Sequence, residues 1–294
     1  MPKVDILLPT YNGADFIEAQ IDSILGQTHT NIRLIIRDDN SQDQTVSLIE
    51  KYVVGDSRVF FVNEKEPNVG LVKSIECLLS ISDAPFIMFA DQDDVWFPDK
   101  VEQFLNRALE LNQDIPMLLH SDCFVTDENL KVLSRFLGSN PLRYGLKNSL
   151  FHFYVQGSST MINSELKEES LPFLENLYLH DRYLHIVSEI KGIRAYIDAP
   201  TMYYRQHDKN LVGSQSIVKK IIRNLTVGNQ RFYLVKDKDL ILSIYKNKYP
   251  ENELLGIYEC IVNNEANRLK KLVLILKNNI PLRLKELLLL LLKN

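Results

Sequence analysis

Short apolar runs alternate with amphipathic stretches over the first 120 residues of the chain. Five runs have the length and composition of buried strands: "VDILL" (4–8), "IRLIIR" (32–37), "RVFFV" (58–62), "FIMFA" (86–90) and "PMLLH" (116–120). Between them, apolar residues recur at helical spacing in "ADFIEAQIDSILGQ", "LVKSIECLLSI" and "DKVEQFLNRALELN", and another helix is predicted to start near Thr45. This alternation predicts an α/β fold with a mostly parallel central sheet and helices on both faces.

Polar clusters follow three of the predicted strands directly. They are "PTYNG" (9–13), "RDDNS" (37–41) and "DQDD" (91–94). The carboxyl ends of parallel strands meet at one edge of a sheet, and ligands bind beyond that edge. We therefore expect the functional site where these three clusters lie.

The pattern becomes less regular after about residue 150. It predicts a strand broken by Gly157 in "YVQGSSTMI", a helix in "LYLHDRYLHIVSEI", and two short strands in "RAYID" and "TMYYR". A flexible joint is predicted near "LVGSQS", and helical sequence follows it. We expect one domain over residues 1–214 and a basic helical C-terminal region over residues 215–294.

Charge is unevenly distributed between these two parts. Residues 1–214 contain 19 Lys and Arg against 31 Asp and Glu, whereas residues 215–294 contain 15 against 7. An acidic body with a basic tail indicates different partners for the two parts, and it argues against nucleic acid. Cys77, Cys123 and Cys260 are scattered and form no C-x-x-C pair, which fits a reducing cytoplasm.

The C-terminal region has two features that concern membranes. Six leucines, 287–292, form a run shorter than the roughly 20 apolar residues of a transmembrane span. At the other end of the sequence, no signal peptide is expected in "MPKVDILLPT". In "NRLKKLVLILKNN" (267–279), one face is apolar and the other is rich in lysine. Such a helix suits an anionic leaflet, but it could equally pack on the body or on a second subunit. We expect a cytoplasmic protein, peripheral on the inner face of the plasma membrane if this helix binds lipid.

The stretch "FADQDDVW" (89–96) gathers three carboxylates, Asp91, Asp93 and Asp94, at the end of an apolar strand. Crowded carboxylates repel one another and lose hydration, so a cation is expected among them. The D-x-D spacing suits Mg²⁺ or Mn²⁺, which bind through one or two carboxylates together with substrate phosphates. The alternative is an acidic turn that only caps the following helix.

Seven motifs in order resemble those of a family 2 glycosyltransferase with the GT-A fold: "LLPTYNG", "IIRDDNSQDQT", "NVGLVKS", "FADQDDVW", "QGSSTMI", "HDRYL" and "YRQHDKNLVG". The forms "DQDDVW", "HD" and "YRQH" are most similar to bacterial rhamnosyltransferases that build cell-surface polysaccharide. The resemblance covers about residues 3–213. It implies a nucleotide-sugar-binding half over residues 1–115 and an acceptor-binding half over residues 116–214.

The resemblance also implies a set of donor-binding residues: Pro9, Tyr11, Asn12, Asp39, Gly70, Lys73, Asp91 and Arg205. Tyr11 would stack on the nucleotide, and Asp39 would accept a hydrogen bond from N3–H of uracil or thymine. Arg205 would clamp the diphosphate in a fork of hydrogen bonds. For Lys73, a solvated helix face is the alternative.

The implied metal ligands are Asp93 and His207, and the implied catalytic base is Asp181. An inverting transfer needs a base that deprotonates the acceptor hydroxyl as it attacks. From the residues alone, Asp181 could instead be a carboxylate stabilised by the helix dipole, and His207 a solvated loop histidine.

The implied acceptor and sugar pocket contains Asp94, Trp96, Gly157, Ser158, Ser159 and His180. Gly157 would let a bulky sugar approach because it has no side chain. Trp96 would form an apolar wall for the sugar, or would pack beneath the site. Asp94 is expected to contact the acceptor or the sugar.

Together these features predict an inverting glycosyltransferase that uses Mg²⁺ or Mn²⁺ and moves L-rhamnose from dTDP-rhamnose to a lipid-linked glycan. Another UDP- or dTDP-sugar is the alternative donor, and a homo-oligomer is an open possibility. "FIMFADQDDV" also fits the D-x-D-x-[TV] signature of phosphatases with an aspartyl nucleophile, although no later acidic pair for Mg²⁺ is found. A non-catalytic module that binds sugar nucleotides is the third hypothesis.

Overall fold

The computed structural model describes residues 1–62, 68–137, 143–153, 155–208, 237–262, 267–282 and 287. The chain divides into two compact units. The first unit contains Met1–Ser139, Val155–Phe173 and Leu179–Ser216, and the second contains Asn140–Tyr154, Leu174–Tyr178 and Ile217–Asn294. The predicted boundary between residues 214 and 215 and the predicted joint at 211–216 lie outside the described residues.

The strands belong to one sheet in the first unit. They are β1 (Val4–Thr10), β2 (Ile32–Asp38), β3 (Val59–Val62), β4 (Phe86–Phe89), β5 (Val95–Trp96), β6 (Met117–Thr126), β7 (Val132–Arg135), β8 (Thr160–Asn163) and β9 (Ile193–Arg205). Their order is β3-β2-β1-β4-β8-β6-β9-β5, and β7 pairs with β6. The predicted α/β fold is confirmed.

The helices in the described part of the chain include four within residues 1–115: α1 (Ile17–Leu25), α2 (Thr45–Gly55), α3 (Leu71–Ile81) and α4 (Lys100–Leu109). Those that follow are α5 (Leu146–Ser149), α6 (Ser164–Ser170), α7 (His180–Lys191), α8 (Lys238–Asn247), α9 (Glu253–Val262) and α10 (Arg268–Lys277). The predicted helix over 71–81 has the observed bounds of α3, and α2 starts at Thr45 as predicted.

Strand direction changes across the sheet. β1 pairs in parallel with β2 and β4, and β2 pairs in parallel with β3. β8 is antiparallel to both β4 and β6, whereas β9 is parallel to β6. The connection between β6 and β7 is too short for a helical crossover, so these two strands pair antiparallel. The half that carries the three polar clusters is therefore the regular parallel half.

Two later strands differ from the predictions. β6 extends to Thr126 instead of ending at residue 120. The two short strands predicted over 194–205 form one strand, β9, whose pairing with β6 shifts register near Ser121 and Asp122. Pro200 lies at this irregularity. Because proline lacks an N–H and is rare inside strands, the sequence predicts a break at this position, although the strand continues through it.

The core of the first unit lies between the sheet and its helices. β1, β2 and β4 are buried along almost their whole length, as expected for central parallel strands. Ile17, Ile21 and Ile24 of α1 and Phe104 and Ala108 of α4 pack against them. This packing holds the carboxyl ends of β1, β2 and β4 in fixed positions.

The turn between α7 and β9 requires a glycine. Gly192 lies so close to β6 that a Cβ there would be 1.8 Å from the carbonyl oxygen of Pro116. Because that neighbour is backbone, we expect Gly192→Ala to lower the free energy of unfolding by about 1–3 kcal/mol, measured by urea denaturation. Gly55→Ala is the matched control, since a Cβ there meets nothing within 4 Å. Equal stability of the two variants would contradict this packing.

The second unit has a small core of its own. Leu240, Ile241 and Ile244 of α8 and Leu255 of α9 are buried. The rings of Phe151 and Tyr258 lie 5.5 Å apart. Across the described ranges, no helix combines the length and the apolar character needed to cross a bilayer. The leucines at 288–292 lie outside the described residues.

Candidate active site

The three polar clusters meet at the carboxyl edge of the parallel strands. Gln92 accepts a hydrogen bond from Tyr11 N (2.9 Å) and donates one to Tyr11 O (3.0 Å). Asn12 N donates to Ser41 Oγ at 2.8 Å. A Cβ on Gly13 would lie 2.3 Å from Gln92 Oε1, so a larger residue there would displace the Gln92 amide that joins the two loops. The loops after β1, β2 and β4 therefore form one continuous surface.

Asp39 is held from three directions at the end of β2. Oδ1 accepts hydrogen bonds from Arg37 Nη1 (2.8 Å) and Val69 N (2.9 Å), and Oδ2 accepts one from Gly70 N (2.8 Å). Burial alone would raise the pKa of Asp39, but these hydrogen bonds outweigh it and hold the pKa below its usual value. The carboxylate is therefore charged and fixed, and Oδ2 has a lone pair for one further donor.

Neighbouring residues from the expected donor set have different environments. Tyr11 is 46% exposed. Lys73 is also exposed, and its ammonium pairs with Glu76 at 2.6 Å, as a solvated helix face would predict. Pro9 is buried in β1. Asp38 caps its own turn, because Oδ2 accepts a hydrogen bond from Ser41 N at 2.7 Å.

The carboxylates after β4 are crowded and largely buried. Burial, then the charge of Asp93 and, to a smaller extent, that of Asp181 together raise the pKa of Asp91 to about 7. Burial raises the pKa of Asp94 well above its usual value, with added repulsion from Asp93 and Asp91. A cation among these groups would relieve the repulsion.

His207 lies directly beside Asp93. Its Nε2 is 2.8 Å from Asp93 Oδ2, although the two residues are 114 positions apart. The imidazole stacks on Phe16, with ring centroids 4.4 Å apart. Within the ranges that the structure describes, no group of three or more His, Cys, Asp and Glu residues forms a complete metal site. One carboxylate and one imidazole fit a cation whose other ligands come from substrate phosphate and water.

Asp94 is fully buried and connects two loops. Oδ1 accepts a hydrogen bond from Arg205 N at 3.2 Å, which links the turn after β4 to the end of β9. Oδ2 is buried and has no hydrogen-bond partner among the described residues. These contacts place Asp94 beneath the surface, where it joins the two loops.

The Arg205 guanidinium is also largely buried. Its Cζ lies 4.8 Å from the ring centroid of Phe16, and Nη1 donates to Glu128 O at 3.0 Å. Burial lowers the pKa of Arg205. If Arg205 clamps the diphosphate as expected, it does so with a packed guanidinium group, of which Nη1 already donates a hydrogen bond within the protein.

Lys100 is a buried cation that the sequence-based expectations missed. Its Nζ donates to Ser158 O at 2.6 Å and lies 3.8 Å from the centroid of Trp96. Burial lowers the pKa of Lys100 to about 7, although Asp94 and Asp91 oppose this shift. The signal was present: Lys100 lies on the same helical face as Phe104 and Ala108, where an apolar residue is expected.

Trp96 packs below the site. It is 3% exposed and belongs to the main hydrophobic cluster. The backbone N–H of Trp96 donates a hydrogen bond to Ser23 Oγ at 3.0 Å. This environment favours packing beneath the site over a wall that faces the sugar.

Gly157, Ser158 and Ser159 form a buried 3-10 turn before β8, beside the start of α7. A Cβ on Gly157 would lie 3.3 Å from His180 Nε2 and 3.6 Å from Asp181 Cβ. Burial lowers the pKa of His180 to about 4, so its imidazole is neutral at pH 7. The start of α7 and the turn before β8 thus bring the expected base and the expected acceptor loop together.

Three further residues position the site and were not anticipated. They are Gln92, which ties the loops after β1 and β4, Arg37, which holds Asp39, and Phe16, which supports His207. Arg37 is a charged residue inside an apolar strand, which is a recognisable signal for a buried ion pair.

Comparison with known proteins gives matches at the levels of family, sequence and fold. Residues 5–168, more than half of the chain, match Glycosyl transferase family 2. The chain is 23% identical over 267 residues to the dTDP-rhamnosyl transferase RfbG of Shigella flexneri, covering 84% of this chain and 88% of that protein. It is 28% identical over 230 residues to the UDP-Glc:α-D-GlcNAc-diphosphoundecaprenol β-1,3-glucosyltransferase WfaP of Escherichia coli, covering 77% and 86%.

Solved structures are similar at lower identity. S. aureus TarS 1–349 in complex with UDP-GlcNAc superposes with a TM-score of 0.64 at 15% identity, covering 97% of this chain and 77% of that one. The mannosyltransferase PcManGT from Pyrobaculum calidifontis, in complex with GDP-Man and Mn²⁺, gives 0.60 at 17%, covering 99% and 73%. At these identities the likeness concerns the fold, and it confirms the predicted GT-A fold.

Proposed function

We propose that this chain, which belongs to glycosyl transferase family 2, is an inverting, metal-dependent enzyme that transfers L-rhamnose from dTDP-rhamnose to a lipid-linked glycan. Family membership supports glycosyl transfer in polysaccharide synthesis. The donor, the metal, the acceptor and the roles of individual residues are what the proposal adds. The observation that carries it is the 2.8 Å contact between Asp93 and His207 at the sheet edge that also holds Asp39 and Asp91.

Donor binding is assigned to the loops after β1 and β2. Asp39 is a fixed, charged acceptor with one lone pair to spare, which matches the N3–H of uracil or thymine. Tyr11, with nearly half of its surface exposed, offers a ring on which the base can stack. Adenine and cytosine have an unprotonated ring nitrogen at the corresponding position, so the contact favours uracil or thymine over those two bases.

Transfer itself is assigned to Asp181. The acceptor hydroxyl attacks the anomeric carbon, the bond from that carbon to the diphosphate oxygen breaks, and Asp181 takes the hydroxyl proton. Gly157 packs closely against the start of α7, where a Cβ would lie 3.6 Å from Asp181 Cβ, so the expected acceptor loop lies directly beside the proposed base. Asp93 and His207 would hold a divalent cation, which neutralises charge on the leaving diphosphate when it is bound.

The sugar assignment is supported by the name of one relative, the dTDP-rhamnosyl transferase RfbG. Another relative, WfaP, is named for UDP-Glc and for a diphosphoundecaprenol-linked acceptor. The second relative supports the lipid-linked acceptor, and it makes another UDP- or dTDP-sugar the second candidate donor.

A donor panel tests the proposal. Purified protein is incubated with dTDP- and UDP-sugars, Mg²⁺ or Mn²⁺ and a lipid-diphosphate-linked sugar, and both nucleotide release and the glycolipid product are measured. We expect product with dTDP-rhamnose above all other donors. Preference for a UDP-hexose would refute the rhamnosyl assignment. Absence of turnover with every donor would favour a non-catalytic module, and hydrolysis of a phosphomonoester would favour a phosphatase.

Metal binding is tested by nucleotide affinity without any turnover. We expect Mn²⁺ to strengthen dTDP binding in calorimetry, and we expect Asp93→Asn and His207→Ala to weaken this enhancement by about tenfold or more. Asp99→Asn is the control, because Asp99 is an exposed carboxylate near the same loop. An enhancement that survives in both variants would exclude Asp93 and His207 as ligands.

A further inference from the structure

Helix α10 in the second unit exposes apolar side chains to solvent. Leu269, Val273 and Leu276 are 67%, 52% and 65% exposed. Their spacing of four and three residues places them in one stripe along the helix. Exposed apolar residues are ordinary when they are scattered singly, but a continuous stripe indicates a surface that is covered by another molecule.

The opposite face of α10 buries a lysine. Lys271 is 5% exposed and lies beside the buried Ile275, about half a turn away from the stripe. A helix orients its apolar side toward its own domain when water covers the other side. Here the stem of a lysine faces inward while two leucines and a valine face outward. This orientation leaves apolar surface exposed to water, and contact with an apolar phase would stabilise it.

The charged side chains of α10 itself are all positive. Arg268, Lys270, Lys271 and Lys277 lie in α10, and the helix has no acidic residue. Lys270 and Lys277 lie at similar angles around the helix, on one flank of the stripe. Burial, and then Lys238 and Arg268, lower the pKa of Lys271, which agrees with a positive potential around this helix. The surface therefore combines an apolar centre with a basic rim.

We propose that α10 binds the surface of an anionic lipid bilayer. Leu269, Val273 and Leu276 enter the boundary between headgroups and acyl chains, and Lys270 and Lys277 contact lipid phosphates. A second copy of this chain fits less well, since two copies joined through this stripe would bring basic rims together. The proposal concerns attachment and does not rest on which sugar is transferred.

Vesicle flotation of the full chain tests the proposal. We expect binding to vesicles of phosphatidylcholine mixed with phosphatidylglycerol, weak binding to phosphatidylcholine alone, and loss of binding at about 1 M salt. The triple variant Leu269→Gln, Val273→Gln and Leu276→Gln should bind at least about tenfold more weakly, because glutamine keeps the helix but removes the apolar stripe. Lys270→Gln and Lys277→Gln should each weaken binding roughly fivefold.

A matched control separates the stripe from general surface hydrophobicity. Val53→Gln, Val54→Gln and Leu109→Gln remove three exposed apolar side chains from α2 and α4 of the first unit. This control should bind vesicles like the wild type, and both triple variants should keep the wild-type melting temperature. Equal binding by the stripe variant and the wild type would overturn the proposal. So would a wild-type dimer that ignores vesicles and becomes monomeric in the stripe variant.

Discussion

Asp181→Asn is expected to lower the rate of sugar transfer by about 10²–10⁴-fold and to leave nucleotide affinity nearly unchanged. Asparagine has the same shape but cannot accept the acceptor proton. Asp181 lies in the first turn of α7, and the nucleotide contacts assigned here come from the loops after β1 and β2. The measurement is the steady-state transfer rate together with dTDP affinity by calorimetry.

Glu165→Gln provides the control for the helix dipole. Glu165 is the acidic residue in the first turn of α6, so its replacement removes the same kind of favourable helix-end charge without touching the site. Its transfer rate should equal that of the wild type. If Asp181→Asn instead loses nucleotide binding, or if it transfers sugar at the wild-type rate, Asp181 is not the base.

Lys100→Met is expected to destabilise the protein by about 3 kcal/mol. The change leaves the buried carbonyl of Ser158 without its 2.6 Å hydrogen bond and removes the cation from the face of Trp96. It also removes a positive charge that opposes the raised pKa of Asp94. The measurement is the free energy of unfolding in urea.

A double-mutant cycle separates packing from electrostatics at this position. If Lys100 compensates Asp94, the double variant Lys100→Met, Asp94→Asn should lose less stability than the two single changes together, with a coupling of about 1 kcal/mol or more. Lys51→Met, at an exposed position of α2, is the control and should be nearly neutral. Additive effects would show that the two side chains act independently.

The parallel half of the fold was predictable because its signals are local. Each buried strand appears as an apolar run in the sequence. The bounds of α3 were predicted correctly because its apolar residues recur at helical spacing between Gly70 and Ser82, which lie just outside the helix. The mixed half was less predictable. Strand β9 contains Pro200, whose tolerance depends on a register shift relative to β6 that no local pattern records.

The residues of the candidate site also fall into a group that local sequence indicates and a group that it does not. Motifs singled out Asp39, Asp93, Asp181 and His207 as candidates, because each belongs to a short stretch with a recognisable form. The supporting contacts join residues far apart in the sequence, such as Lys100 to Ser158. Those contacts depend on three-dimensional packing, so the sequence showed only that Lys100 was a charge at a core position.

The anomeric configuration of the product tests the central claim most directly. A single base and a direct displacement predict that the sugar is transferred with inversion. NMR of the purified glycolipid reports this from the one-bond C1–H1 coupling, because the equatorial H2 of rhamnose makes the H1–H2 coupling small in both anomers. We expect one product with the configuration opposite to that of the donor, formed at least about 10²-fold more slowly by Asp181→Asn. A product that retains the donor configuration would contradict the account.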